Sequence, residues 1–397
     1  MKTLDILIEQ TEELFFSQYN TYPSTITSAP GRINIIGEHT DYSEGLSLPA
    51  AINRWVCIAF RKRNDQKINA YSHNYNKPFN HSIFDQPQHT SSWSKFLWGA
   101  FKILQNEYNL NCGFDCVILG NIPLGSGVSS SAALEMALIN GLDHIFELKI
   151  PPLQKTEIGQ QIEHRFLGVK CGLLDQFAVQ FSSANNMLLI DFLQYSHHVV
   201  SSKIDGYSWA LVNTMISREL ASSAYTIRVN EMTDAFTELK SKNIQHMRDV
   251  SSSDINRIST PVLRQRVNHF ITENQRLIHA VEAVELGDAT RLGQLLYESH
   301  QSLQNDYQVS CPELDFLAKT AIKSPGCTGS RMMGGGFGGC TINLVETNML
   351  RQFEDSITKA YHFEFGKLPG FDVFQLVDGA KVHQCDTNVN NQEYTTL

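Results

Sequence analysis

The stretch from residue 123 to residue 136, PLGSGVSSSAALEM, has the residue types that bind phosphate. Gly125 and Gly127 let the backbone turn its N–H groups toward an anion, and the serines at 129–131 offer hydroxyl donors and a helix cap. An apolar strand-like run precedes the stretch and an apolar helical run follows it. It lacks the lysine of a Walker loop and the acidic residue of a Rossmann ribose site. A capped helix without any ligand is therefore an equal alternative.

A second polar cluster lies between two strand-like runs. Glu38, His39, Asp41 and Tyr42 fall within five positions of the segment 37–45. Carboxylates, an imidazole and a phenol so close together suit multidentate hydrogen bonding to a polyol. The alternative is a solvated turn in which Asp41 caps the backbone.

An isolated acidic residue stands in the apolar run CGLLDQFAVQF. Asp175 stands there among leucine, phenylalanine and alanine, flanked by Gly172 and Gln176. Because a buried unpaired carboxylate is costly, Asp175 needs a partner or a chemical role. An ion pair with a core arginine is the structural alternative.

Two further stretches could contact a ligand. The segment 329–340, GSRMMGGGFGGC, has six glycines in twelve positions, and it could hug a ligand or form a tight structural hairpin. Trp93 begins a predicted amphipathic helix, where it could belong to the core or stack on an adenine.

Composition excludes several classes of partner. The formal net charge is −9 and no basic block occurs, so nucleic acid and anionic membranes are not expected as main partners. A small-molecule substrate is favoured. We find neither a secretory signal nor an apolar run long enough to cross a membrane, which predicts a cytoplasmic protein. The eight cysteines show no metal-ligand spacing and are expected to be reduced core residues.

Hydrophobic periodicity predicts the elements that must position these residues. A helix is expected over 4–16, and another, containing Glu163, over 155–167. Strands are predicted over 46–63, 67–72, 114–120, 187–191, 209–212, 341–345 and 372–377. The second half is more helical, with helices expected over 219–240, 261–285, 288–304 and 312–323. The chain length favours two domains.

Taken together, four stretches resemble the motifs of the GHMP small-molecule kinases. They are APGRINIIGEHTDYSEG, PLGSGVSSSAALEMA, CGLLDQF and GSRMMGGGFGGC, and they occur in the family's order. The resemblance implies a two-domain α+β fold with an N-terminal domain like domain 2 of ribosomal protein S5 (residues 1–185). It implies a C-terminal α+β domain (residues 186–397) and an active site in the cleft between them.

The resemblance also implies the site residues. It makes Asp175 and Arg32 catalytic, with Ser131 and Glu163 holding Mg²⁺, although a helix-surface glutamate is the alternative for Glu163. The implied sugar-binding residues are Glu38, His39, Thr40, Asp41, Gly172 and Tyr225. The implied ATP-binding residues are Ser72, Trp93, Gly125, Ser126, Gly127, Val128, Ser129, Ser130 and Ser131.

Within the family, the motifs are most similar to those of the branch that phosphorylates D-galactose at its anomeric hydroxyl. The expected reaction uses ATP and gives α-D-galactose 1-phosphate and ADP. N-acetylgalactosamine is the alternative substrate, because its kinases share the GEH-x-DY loop. A non-catalytic sensor of galactose and ATP is the alternative class, and the three intact serines at 129–131 favour an enzyme. The resemblance favours a monomer.

Overall fold

The structure is a computed structural model that describes residues 3–87, 91–123, 127–216, 221–240 and 244–385. Its α-helices are α1 (Thr3–Tyr19), α2 (Ser92–Tyr108), α3 (Ser130–Phe146), α4 (Pro152–Ile162), α5 (Leu174–Phe181), α6 (Ala221–Lys240), α7 (Pro261–Leu286), α8 (Ala289–Ser302), α9 (Pro312–Ala321) and α10 (Leu350–Phe365). Its strands are β1 (Thr25–Asn34), β2 (Leu46–Ser47), β3 (Pro49–Lys62), β4 (Lys67–Ser72), β5 (Lys77–Ser82), β6 (Phe114–Gly120), β7 (Asn186–Asp191), β8 (Ser196–Ser201), β9 (Tyr207–Asn213), β10 (Cys327–Met333), β11 (Cys340–Glu346), β12 (Gly370–Phe374) and β13 (Lys381–Gln384).

The strands form three sheets. A six-stranded sheet has the order β13-β1-β3-β6-β4-β5, a four-stranded sheet the order β10-β11-β9-β12, and a small sheet the order β2-β7-β8. Only β4 and β6 pair in parallel among the described strands, because α2 provides the crossover between them. The last strand, β13, pairs with β1 in the six-stranded sheet. The division of the chain at residue 185 remains a prediction.

Helix α3, which follows the phosphate-like stretch, is the central helix of the first half. It packs on β1 and β3, and its apolar residues 132–134 and 136–139 are buried. Gly141 faces β3 so closely that a Cβ built on it would lie 2.1 Å from the Phe60 ring. Helix α1 covers the other face of β3 and β6, where Phe15 is fully buried. The stretch 127–131 therefore lies at the end of a firmly packed helix.

Most predicted elements are confirmed, but helices α5 and α10 were not predicted. The predicted helix over 155–167 ends at Ile162 and continues as a π-helical turn, Glu163–Leu167. The glycine-rich segment is a strand followed by a tight connection to β11, so it forms a hairpin, and its contact with a ligand stays a prediction. Four of its glycines have positive φ, at 334, 336, 338 and 339. Strands β5 and β8 were not predicted, since both carry polar or exposed residues on an edge. Residues 219–220 of the helix predicted over 219–240 lie outside the described residues.

Other expectations concern burial and membranes. Cys57, Cys116 and Cys340 are buried, whereas the other five cysteines are only partly so. Not all the cysteines are therefore core residues. Within the described ranges, no helix combines the length and the apolar character that crossing a membrane would need.

The close approach of Gly141 to Phe60 predicts a stability effect. Gly141→Ala would favour the helix intrinsically but forces a methyl group into a filled space, which typically costs about 1–3 kcal/mol. We expect a lower free energy of unfolding in urea. His144→Ala, at an exposed position of α3, is the control and should change it by less than about 0.5 kcal/mol. Equal stability of the two variants would show that the core around Phe60 is loosely packed.

Candidate active site

The predicted site residues converge on one cavity of about 390 Å³. It is bounded by the loop after β1, the stretch before α3, the start of α5 and the hairpin between β10 and β11. Its lining residues include Arg32, Glu38, His39, Asp41, Gly127, Val128, Ser129, Ser130, Ser131, Glu163, Cys171, Gly172, Asp175, Gln176, Tyr225, Gly334 and Gly335. Residues that are far apart in the sequence therefore share one wall.

An ion pair joins β1 to α5 in the cavity wall. Arg32 Nε donates to Asp175 Oδ1 at 2.7 Å, and Nη2 donates to Oδ2 at 2.8 Å. The hydroxyl of Ser129 also donates to Oδ2. The arginine partner that we considered as the structural alternative for Asp175 is thus present. The Asp175 side chain is nevertheless 31% exposed and faces the cavity, so its environment is not an ordinary core.

The stretch before α3 is fastened to β1 by Arg32. Its Nη1 donates to the Gly127 carbonyl at 2.8 Å, and its backbone N–H donates to the Val128 carbonyl at 3.0 Å. Ser129 adopts a left-handed backbone conformation and makes no side-chain cap, because its hydroxyl binds Asp175. The expected serine cap is therefore not formed at this position. The first turn of α3 lines the cavity with Ser130 and Ser131, and the backbone N–H groups of a first turn lack helical acceptors, which suits an anion.

Glu163 begins the π-helical turn and reaches the cavity beside Ser131. Burial raises the pKa of Glu163, while hydrogen bonds with Cys171, Glu135 and Ser131 act in the opposite direction. The described residues contain no group of three or more His, Cys, Asp or Glu that could hold a metal on its own. One carboxylate and one hydroxyl still suit Mg²⁺, which takes one or two protein oxygens together with phosphates and water.

Glu38 points its carboxylate into the cavity from the loop after β1. It accepts hydrogen bonds from the Asn34 side chain and from the backbone N–H of Gly334. The fully buried Arg331 places Nη2 3.3 Å from Glu38 Oε2. These contacts hold the carboxylate and balance its charge.

His39 is held by a line of hydroxyl groups. Its Nδ1 lies 2.9 Å from the Tyr42 hydroxyl, which lies 2.7 Å from the Tyr307 hydroxyl. Burial lowers the pKa of His39 to about 3, so the ring is neutral. Its buried Nε2 has no hydrogen-bond partner among the described residues, and the ring lines the cavity beside Tyr225. A ligand hydroxyl would satisfy this nitrogen.

Asp41 and Gly172 both line the cavity, and they lie directly against each other. A Cβ built on Gly172 would lie 1.7 Å from Asp41 Oδ2, so only glycine allows this approach. Burial, together with the nearby Asp175 and Glu38, raises the pKa of Asp41 to about 7. The carboxyl group is therefore close to half-ionised at neutral pH.

Three of the predicted residues lie elsewhere, and two are not described. The Thr40 hydroxyl faces away from the cavity and contacts the carbonyls of Gly37 and Leu46, so it holds the loop. Trp93 and Ser72 line a second cavity of about 120 Å³, which adjoins the first at Ser130 and Ser131. Gly125 and Ser126 lie outside the described residues.

Our sequence analysis missed several buried polar residues around the site. Glu135 is fully buried on α3 and accepts a hydrogen bond from Gln176. An acidic residue inside an apolar helix could have revealed it, as it revealed Asp175. Tyr307 and Arg331 gave no such signal, because their contacts depend on the tertiary fold.

Comparisons with known proteins define the class. The family model "GHMP kinases N terminal domain" matches residues 95–183, and "GHMP kinases C terminal" matches residues 280–362. The crystal structure of a Methanococcus jannaschii mevalonate kinase superimposes with a TM-score of 0.64 at 16% identity, covering 89% of this chain and 98% of that one. The predicted α+β GHMP kinase fold is confirmed.

More specific matches define the family. The model "Galactokinase galactose-binding signature" matches residues 13–62. A galactokinase of Staphylococcus carnosus is 37% identical, over 94% of this chain and 99% of that protein. The crystal structure of Lactococcus lactis galactokinase complexed with galactose has a TM-score of 0.89 at 33% identity, covering 95% of this chain and 99% of that one. The chain belongs to the galactokinase family of GHMP kinases.

The raised pKa of Asp41 predicts a pH-dependent stability. An unfolded aspartate has a pKa of about 3.9, below that of Asp41 in the folded protein. The protonated Asp41 therefore contributes its full stabilisation below about pH 4, and this contribution is lost as the pH rises to about 7. We expect wild-type stability to fall relative to Asp41→Asn by roughly 1 kcal/mol per pH unit between about pH 5 and about pH 7. Urea unfolding of both proteins measures this difference. A difference that is constant with pH would contradict the assignment.

Proposed function

We propose that the protein transfers the γ-phosphoryl group of ATP to the anomeric hydroxyl of D-galactose, giving α-D-galactose 1-phosphate and ADP. The observation that carries this proposal is the shared cavity, in which an anion-binding helix end, the Arg32–Asp175 pair and a polar loop converge. The kinase family supports ATP as the donor. The galactose-binding signature and the galactose-bound Lactococcus lactis relative support the sugar.

Asp175 and Arg32 would act on the reacting atoms. A carboxylate has about four lone-pair directions. Asp175 can therefore accept the proton of the sugar hydroxyl while its carboxylate also accepts hydrogen bonds from Arg32 and Ser129. The hydroxyl oxygen then bonds to the γ-phosphorus, the bond from phosphorus to the bridging oxygen of ADP breaks, and Asp175 later releases the proton. In a loose transition state, orienting the hydroxyl matters more than deprotonating it early. Arg32 would stabilise the charge on the transferring group.

Glu38, His39, Asp41 and Tyr225 would bind the sugar hydroxyls. Both carboxyl groups line the cavity, and the His39 Nε2 offers an unsatisfied nitrogen. Such a site discriminates because a missing or misplaced hydroxyl leaves a buried polar group unpaired, and this penalty can reach several orders of magnitude. Glucose, which differs at C4, should therefore be a poor substrate. Gly172 would allow Asp41 its position, and Thr40 would contribute through the loop backbone.

The nucleotide would bind across both cavities. The first turn of α3, with Ser129–Ser131, suits the phosphates, and Gly125 and Ser126 complete the proposed loop. The second cavity, with Ser72 and the buried Trp93, suits the base. Ser130 and Ser131 border both cavities, so base and phosphates can be bound at the same time.

Ser131 and Glu163 would hold Mg²⁺. Bound by these two residues, the ion would supply positive charge that neutralises the negative charge developing during phosphoryl transfer. Glu163 is kept in place by hydrogen bonds with Cys171 and with the buried Glu135.

We also propose that the protein is a monomer. Since ATP is the donor, we propose that the reaction takes place in the cytoplasm. The alternatives from the sequence, an N-acetylgalactosamine kinase and a sugar sensor, are not favoured by the similarity to galactokinases.

The direct test measures ADP release with galactose, N-acetylgalactosamine and glucose. We expect turnover to be fastest with galactose and to fall at least about a hundredfold in Asp175→Asn, with galactose affinity changed only a few-fold. Asp372→Asn is the matched control, because it disrupts another arginine–aspartate pair that lies outside both cavities. Faster turnover with N-acetylgalactosamine than with galactose would show that the assigned sugar is wrong. Near-native turnover by the Asp175→Asn variant would show that Asp175 is not catalytic.

Glu163→Gln tests the metal site. The variant loses the anionic ligand, so we expect the Mg²⁺ concentration for half-maximal velocity to rise about tenfold or more while galactose binding by calorimetry is unchanged. Glu157→Gln, on the exposed side of α4, is the control. An unchanged Mg²⁺ dependence would exclude Glu163 as a ligand.

A further inference from the structure

Helix α7 carries several buried polar side chains that line neither cavity, and three of them contact the loop after β1. His269 and Glu273 are four residues apart and lie on one face of the helix, and Asn274 follows directly. Glu273 and His269 are fully buried, and Asn274 is 8% exposed. A fully buried carboxylate needs a reason for being there.

Glu273 binds the backbone at the start of the loop after β1. Its Oε1 accepts hydrogen bonds from the N–H groups of Gly37 at 3.0 Å and Glu38 at 3.4 Å, and from the Ser299 hydroxyl at 2.7 Å. The Glu38 backbone is thus hydrogen-bonded to Glu273, while the Glu38 carboxylate faces the cavity. The position of Glu273 therefore affects where that carboxylate points.

The two other side chains hold the same loop. His269 Nε2 lies 3.1 Å from the Glu38 carbonyl, and Asn274 Oδ1 accepts from the Leu46 N–H at 2.8 Å. Helix α7 consequently fastens both ends of the segment 37–46. This segment contains every cavity-lining residue of the loop.

The loop needs this support because its backbone is strained. Gly37 has a φ of 89° and His39 a φ of 61°, so a left-handed residue stands on each side of Glu38. For a residue other than glycine this conformation is uncommon and persists only when its surroundings enforce it.

Glu273 is an ionised acceptor. Burial raises its pKa, but Arg276, His269, Arg331 and the Ser299 hydroxyl together lower the pKa of Glu273 to about 2. Arg276 Nη2 lies 2.8 Å from Oε2. Hydrogen bonds to a charged acceptor are about twice as strong as those between neutral groups.

We propose that Glu273 is a positioning residue for sugar binding, which fixes the Gly37–Glu38 backbone and thereby aims the side chains of Glu38 and His39 into the cavity. The inference rests on the proposed function of the cavity. Because Glu273 contacts neither the stretch 127–131 nor the second cavity, its effect falls on the sugar and not on ATP.

Calorimetry with galactose and with an unreactive ATP analogue tests this inference in Glu273→Ala and Glu273→Gln. We expect the dissociation constant for galactose to rise about tenfold or more in Glu273→Ala and about threefold in Glu273→Gln, which keeps a weaker acceptor. Affinity for the ATP analogue should stay within about twofold. Asp143→Asn, which disrupts the partly buried Asp143–Lys155 pair at 2.6 Å, controls for a general loss of stability and should change neither affinity.

The outcomes separate the two proposals. A wild-type protein that binds no galactose overturns the proposed function and, with it, this inference. If the wild type binds galactose, a folded Glu273 variant with the same galactose affinity as the wild type overturns only the role of Glu273. A variant that loses affinity for galactose and for the ATP analogue equally does the same. If Glu273→Ala does not fold, Glu273→Gln decides by the same criteria.

Discussion

The side chain of Arg32 joins the parts of the molecule on which the rest of the site depends. It is 8% exposed, and it binds Asp175 through two nitrogens and the Gly127 carbonyl through the third. One guanidinium group thus ties β1, the stretch before α3 and the start of α5 together. The planar group has several donors in fixed directions, so the three elements are set at defined angles as well as distances.

A pair of this kind is weak evidence for a stabilising role. Removing two charges from water costs free energy that their attraction only partly returns, and apolar replacements are often as stable. Asp175 keeps one side toward the cavity, where a ligand hydroxyl can approach it. The arrangement is therefore better explained by chemistry at the cavity than by packing. The surrounding acidic groups follow the same logic, since Asp41, Glu135 and Glu163 all have raised pKa values in a confined space.

Much of the fold and most of the site residues were predictable because they lie in local patterns. Asp175 stands out in an apolar run, and the serines at 129–131 open an apolar helix, so the neighbouring residues marked both stretches as candidates, while the resemblance to the GHMP kinases implied their roles. The bidentate geometry of Arg32 was not predictable, because its partner is 143 residues away. The contacts of Glu273 were not predictable either, because its helix has an ordinary amphipathic pattern. The π-helical turn at Glu163 also escaped prediction, since it is the last turn of the helical segment and no helical residues follow it to show the change of period.

The proposed reaction requires the cavity to bring the anomeric hydroxyl of galactose, and no other hydroxyl, to Asp175 and the γ-phosphoryl group. Phosphorus and carbon NMR of the product formed from ATP and galactose labelled with carbon-13 at C1 tests this claim most directly. We predict a phosphate ester whose phosphorus couples to the labelled carbon, with the α configuration at C1. A phosphate on any other oxygen of the sugar, or ADP formed without a sugar phosphate, would contradict the account.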